Sequence, residues 1–149
     1  MSEAPVDSRM STDCIFCQII DGEIPSYTVY EDETTYAFLD VNPLSPGHTL
    51  VIPRNHHERV GDMSADEAGD AFGVISDLVR AVEAAVDAPA STIAVNNGEE
   101  AGQEVPHVHW HIIPQFADGG GRPVHTLFDG VDIGDDEMDE IAENIRKHQ

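Results

Sequence analysis

Three imidazoles alternate with apolar residues in His107-Val108-His109-Trp110-His111-Ile112-Ile113-Pro114. Near neutral pH imidazole can ligate a transition metal or act as nucleophile and proton donor. Alternate residues of a β-strand share a face, so the run sets the imidazoles in a row about 6.6 Å apart, with Val108, Trp110 and Ile112 facing a core. Next-but-one side chains on one strand converge poorly on a tetrahedral centre, which disfavours one metal held by all three. A nucleophilic middle histidine flanked by substrate-binding neighbours fits the spacing better. An ordinary alternating strand would be served as well by Ser, Thr, Lys or Glu.

Directly upstream, Gly98 to Gln103 supplies glycines and backbone N–H groups of the kind that cradle phosphate oxygens. Its position next to the histidines suggests that loop and triad share a ligand. Cys14 and Cys17 are the only cysteines, spaced C-x-x-C. That spacing favours a metal or redox role over a disulfide, and the βαβ setting of a redox site is missing. Two thiolates are half a zinc site; two buried free thiols are the plainer alternative.

Around these groups the pattern predicts a short helix over 14–20 with Asp13 as N-cap, stopped by Gly22. Tyr27 to Glu31 and Thr35 to Leu39 read as a hairpin, and His48 to Ile52 as a third strand after a Pro- and Gly-containing loop. Ser64-Ala65-Asp66-Glu67 has the form of a capping box. It opens one long amphipathic helix whose apolar stripe is Ile75, Leu78, Val79, Val82 and Val86. Strands are expected over 92–96 and 105–113, and a last helix over 135–148 that docks through Met138, Ile141 and Ile145. The fold class is therefore α+β: one domain with an antiparallel sheet of about five strands, one long and one short helix packed on it. Residues 1–12 are expected to form a flexible arm, 13–116 the domain and 117–149 a C-terminal extension.

The chain has 149 residues, of which 40% are hydrophobic, enough for one domain with a core. With 29 Asp and Glu against 7 Lys and Arg, the formal charge of −22 would repel a polyanion, so no nucleic-acid partner is expected. No segment has the length or apolarity of a membrane span or signal, so a cytoplasmic protein with no membrane partner is expected. The near absence of lysine and the acidic surface suggest a halophilic chain, since self-repulsion of this size strains the fold at low salt and is screened at high salt.

The histidine run resembles the signature of the histidine-triad (HIT) family. So do Cys14-Ile15-Phe16-Cys17, Ala37-Phe38-Leu39-Asp40, Gly47-His48-Thr49-Leu50-Val51-Ile52-Pro53, Asn96-Asn97-Gly98 and Ala101-Gly102-Gln103. The resemblance runs from about Cys14 to about Gln115, is of the prokaryotic type with an N-terminal C-x-x-C, and together with the charge points to a haloarchaeal member. It implies a homodimer that binds a purine nucleotide or nucleotide conjugate. His109 would be the nucleophile forming a covalent nucleotidyl-histidine, His111 would contact the phosphoryl group, and His48 would support them. Asp40 would accept the ribose hydroxyls, Phe16, Ile19, Phe38 and Val41 would line the base pocket, and Asn96, Gly102 and Gln103 would bind phosphate or leaving group. The resemblance also implies a structural zinc on Cys14, Cys17, His56 and His107, with His57 as the adjacent alternative. The activity implied is hydrolysis or transfer on a phosphoramidate or dinucleoside polyphosphate; a non-catalytic nucleotide-binding or adaptor module is the alternative. The sequence departs from the family pattern at Glu104, where many members carry Ser or Thr, and at Gln115, where many carry Arg.

Overall fold

The computed structural model describes residues 13–149; the expected N-terminal arm, 1–12, lies outside them. Five strands, β1 (Thr28–Glu31), β2 (Thr35–Leu39), β3 (Thr49–Pro53), β4 (Ala90–Val95) and β5 (Trp110–Gln115), form one antiparallel sheet in the order β1-β2-β3-β5-β4. Three helices accompany it: α1 (Ile15–Ile20), α2 (Ala65–Ala85) and α3 (Asp135–Lys147). The α+β reading with five strands holds, with a third helix where the C-terminal pattern suggested one.

The sheet separates two apolar clusters because its side chains alternate. On one face Ala37, Val51, Trp110 and Ile112 meet Ala71, Val74, Ile75 and Val82 of α2. On the other, Phe38, Leu50 and Ile52 meet Phe16, Cys17 and Ile19 of α1. The capping box at the start of α2 is formed: Ser64 Oγ accepts from the Glu67 N–H, and Glu67 accepts from the Ser64 N–H.

Two boundaries differ from the sequence pattern. The N-cap of α1 is Cys14 rather than Asp13, and its sulfur accepts from the Cys17 N–H at 3.4 Å. The last strand begins at Trp110, so His107 and His109 precede the ladder. Pro106 has no N–H to offer a neighbouring strand. The N–H of His107 closes on Val105 O, and that of Val108 bonds His57 O rather than β4. This bend lets the histidines diverge. In α3, Met138, Ile141 and Ile145 are exposed; the expected docking does not occur among the described residues.

Candidate active site and metal cluster

Although Val108, Trp110 and Ile112 are buried as expected, the three histidines that alternate with them serve two different centres. His107 is fully buried, and its Nδ1 lies 3.3 Å from Cys14 Sγ and 3.6 Å from Cys17 Sγ. Nδ1 of His56 lies 3.4 Å from Cys17 Sγ. The four ligand atoms all fall within 4.8 Å of one another. Zn–S and Zn–N bonds in a tetrahedral site imply an S···N edge of about 3.6 Å, so the spacing suits a zinc ion. The tautomer suits it too: Nε2 of His107 donates to the Pro53 carbonyl at 2.9 Å, which leaves the Nδ1 lone pair directed at the cysteines. His57 is committed elsewhere, 3.0 Å from Glu67. Hydrogen bonds from Asn55 and His57 hold the Glu67 carboxyl at about 2.

His109 stands where the other face of the histidine segment meets a cavity of about 290 Å³. Its Nδ1 lies 3.0 Å from its neighbour's carbonyl, His107 O, and as the donor there must carry the proton. The Nε2 lone pair is then free, and among the described residues no hydrogen-bond partner takes it. Phe16 stands edge-on to the ring at 5.1 Å and to His107 at 5.8 Å, holding the two apart. Burial lowers the pKa of His109, against the pull of the bond to His107 O and the charges of Asp40 and Glu104, so the ring is neutral near pH 7.

The third histidine belongs to a relay. Leu44 N–H donates to Nδ1 of His48 at 3.1 Å, so the proton of this buried ring sits on Nε2. That Nε2 donates to Nδ1 of His111 at 2.9 Å, and the proton of His111 is thereby placed on its own Nε2. Burial, reinforced by His109 and His48, lowers the His111 pKa to about 4. Asp40 Oδ2 stands 3.8 Å from His48 Nε2, while its Oδ1 accepts from the Asn42 N–H. Asp40, His48 and His111 thus lie as close together as metal ligands do. Their tautomers argue otherwise, because the nitrogen of His48 facing the group carries a proton and is fixed in that state by Leu44.

The cavity brings Phe16, Ile19, Phe38, Asp40 and Val41 together with His109 and His111. His48 lies behind His111. Asn96, Gly102 and Gln103 are not among the lining residues. The Asn96 amide donates to Ala101 O; Gln103 accepts from the Gly98 N–H and donates to Glu58 O and Val105 O. The N–H groups of Gly98, Ala101, Gly102 and Gln103 are consumed inside the loop, which narrows the expected phosphate cradle to those of Glu99 and Glu100. The loop owes its shape to positive φ at Gly98 and Gly102, and a Cβ on Gly98 would lie 2.9 Å from Arg59 Cζ. Sequence reasoning missed Ile24, Ser26, Asn42 and Leu50 in the lining and the backbone groups of Leu44, Pro53 and His107 that set the tautomers. Backbone partners leave no side-chain signal, whereas the apolar lining carried one in its strand alternation.

Residues 21–118 match the HIT domain family. The chain belongs to that family. An uncharacterised HIT-like protein of Methanocaldococcus jannaschii is 42% identical over 133 residues, covering 89% of this chain and 98% of that one. An adenosine 5′-monophosphoramidase of Candida albicans is 32% identical over 138 residues, 90% of each chain. The crystal structure of a HIT family member from Bacillus subtilis superposes with a TM-score of 0.80 at 38% identity, covering 92% of this HIT protein and 97% of that chain. Among the described residues no helix is long and apolar enough to cross a membrane.

Proposed function

We propose that this HIT protein is a nucleotide hydrolase or transferase that takes a nucleoside monophosphate from a phosphoramidate, or from a related conjugate, through a covalent nucleotidyl-His109. The observation that carries the reading is the 3.0 Å contact between His109 Nδ1 and His107 O, which leaves a neutral, unpartnered Nε2 in the cavity. Similarity to a monophosphoramidase supports the same chemistry.

The base would sit among Phe16, Ile19, Phe38 and Val41, with the ribose hydroxyls donating to Asp40. Nε2 of His109 attacks phosphorus as the P–N bond breaks, the nitrogen having taken a proton from solvent so that it leaves as a neutral amine. His111 Nε2–H donates to a phosphoryl oxygen and meets charge growing there. Water then attacks phosphorus, its proton passes to solvent, and the nucleotide leaves a neutral His109 again protonated at Nδ1. Asn96, Gly102 and Gln103 contribute by holding the loop beside the leaving group. A zinc ion on Cys14, Cys17, His56 and His107 would tie α1 to the strand before the nucleophile and take no part in the bond changes.

A homodimer accords with the free edge of β4, where Ile93 is exposed, and with exposed Phe72 on α2. A cytoplasmic, high-salt setting and the absence of a nucleic-acid partner accord with the charge of −22.

His109→Ala is expected to lower turnover of adenosine phosphoramidate by at least about 1000-fold while nucleotide binding persists. Alkali-quenched reactions with labelled α-phosphate should yield an acid-labile, base-stable protein label in the wild type and lose it in that variant. Near-normal turnover by His109→Ala, or label on another residue, would overturn the mechanism.

A further inference from the structure

We infer that Glu104 selects the leaving group by charge, so that this HIT protein prefers nucleoside phosphoramidates whose departing amine bears a second, cationic group over those with an anionic one. The inference rests on the reading of the cavity as a nucleotidyl-transfer site and names the substrate class within it.

Glu104 lines the cavity that holds His109 and His111. It also lines a second cleft of about 240 Å³ together with Glu58, Glu99, Gln103 and Pro106. The two spaces therefore meet at one carboxylate. No Lys or Arg lines either of them, and among the described residues Glu104, Glu58 and Glu99 have no ion-pair partner. The Arg59 guanidinium lies against Gly98, in the loop that precedes Glu104.

An independent feature points a ligand toward this end. His109 is only 8% exposed, and its Nε2 is an unpartnered acceptor in the cavity that Glu104 borders. The apolar lining of Phe16, Ile19 and Phe38 suits the base, so the phosphorus must come to Nε2 from there, and in-line displacement sends the leaving group away from the attacking nitrogen. Glu104 borders the cavity of His109 and opens onto the acidic cleft, so a leaving group that departs on that side passes its carboxylate. An anionic leaving group, such as the far half of a dinucleoside polyphosphate, would meet three carboxylates with no Lys or Arg in the lining. An ammonium group would meet partners with little desolvation, because Glu58, Glu99 and Glu104 are exposed to solvent.

The test compares three adenosine phosphoramidates that differ only at the far end of an alkylamine: ammonium, hydroxyl or carboxylate. In the wild-type protein kcat/KM should fall in that order, about fivefold per step at low salt. Glu104→Gln, which keeps shape and removes charge, should compress the ammonium-to-carboxylate ratio toward one, and molar salt should compress it in the wild type. Because the readout is a ratio within each protein, any common loss of activity cancels. Equal rates for the three compounds, or an order that survives Glu104→Gln unchanged, would overturn the inference and leave the nucleotidyl-transfer reading intact. Failure of the wild type to turn over any of them would defeat that reading and the inference with it.

Discussion

Two histidine clusters, built from one alternating segment and a few neighbours, keep the proton on the same ring nitrogen, Nε2, and differ in which nitrogen faces the group. In the cluster of Cys14, Cys17, His56 and His107, the carbonyl of Pro53 takes the Nε2 proton of His107 and bares Nδ1 to the sulfurs. In the cluster of Asp40, His48 and His111, the N–H of Leu44 occupies Nδ1 of His48 and keeps a proton on the nitrogen that faces the group. Both sets of ligand atoms are crowded enough for a metal. A backbone acceptor prepares one for a cation, and a backbone donor makes the other a chain of proton donors. His109, between them, follows the first pattern at the opposite nitrogen: His107 O takes the Nδ1 proton and bares Nε2 to the cavity.

The most forceful way to break the comparison is to remove the sulfurs. Replacing Cys14 and Cys17 together by Ser should reduce bound zinc from about one per chain to none, and should cost several kcal/mol of stability, since a closed metal site contributes to folding directly. Metal analysis and denaturant melts check both. Zinc that survives the substitution would mean that the relay, not the cysteine cluster, is the metal site.

The complementary cut is His48→Leu. It removes the donor that fixes His111, so His111 can adopt the tautomer without a proton on Nε2, and kcat should fall about 10- to 100-fold. Zinc content should not change. Loss of zinc in this variant, or unchanged kcat, would erase the distinction between the clusters.

Much of this is legible in the sequence, because chemistry-bearing side chains recur at fixed spacing. The run from His107 to His111 announced a site, the alternation of Val108, Trp110 and Ile112 announced the face that packs on α2, and Ser64 with Glu67 announced the start of that helix. What escaped lay in main-chain groups: Pro53 O, His107 O and Leu44 N–H decide the tautomers and bear no relation to the identity of their side chains. The loop of Gly98 to Gln103 offers less than its glycines suggest for a similar reason, since the N–H groups of Gly98, Ala101, Gly102 and Gln103 turn inward onto Gly98 O, Glu99 O and the Gln103 amide. The strand start at Trp110 is hidden because Pro106 acts through a missing donor, and the apolar face of α3 reads as a docking face although nothing among the described residues covers it.

Acid should disturb both clusters in the same direction. Burial lowers His107 and His111 to about 4 in the folded chain, against 6.5 for an unhindered ring. Between those values the unfolded chain binds more protons, so these groups make stability fall as pH drops from 6.5 toward 4 and add no pH dependence above 6.5. Denaturant melts at half-unit pH steps check the window. His111→Asn should flatten the fall by about one proton's slope; an unchanged slope would mean that the ring is not held neutral.

Salt should separate the buried clusters from the surface, with the smallest effect of the series. The 29 acidic residues face only 7 basic ones, and the first turn of α3 alone carries Asp135, Asp136 and Glu137. Among the described residues Arg54–Glu31, at 2.8 Å, is the one Arg–carboxylate pair. Repulsion between exposed carboxylates acts over about 10 Å at 0.1 M salt and about 3 Å at 1 M. Molar KCl should therefore raise the midpoint of thermal unfolding by a few degrees, about what 1 to 2 kcal/mol gives in a domain of this size. The zinc ligands and the His48–His111 bond are buried or half-buried and are screened far less, so zinc content and the kcat deficit of His48→Leu should be the same at both salt concentrations. A midpoint that stays flat or falls would remove the high-salt reading of the charge. A kcat deficit that vanishes in KCl would mean that the relay works through long-range charge rather than through a fixed proton.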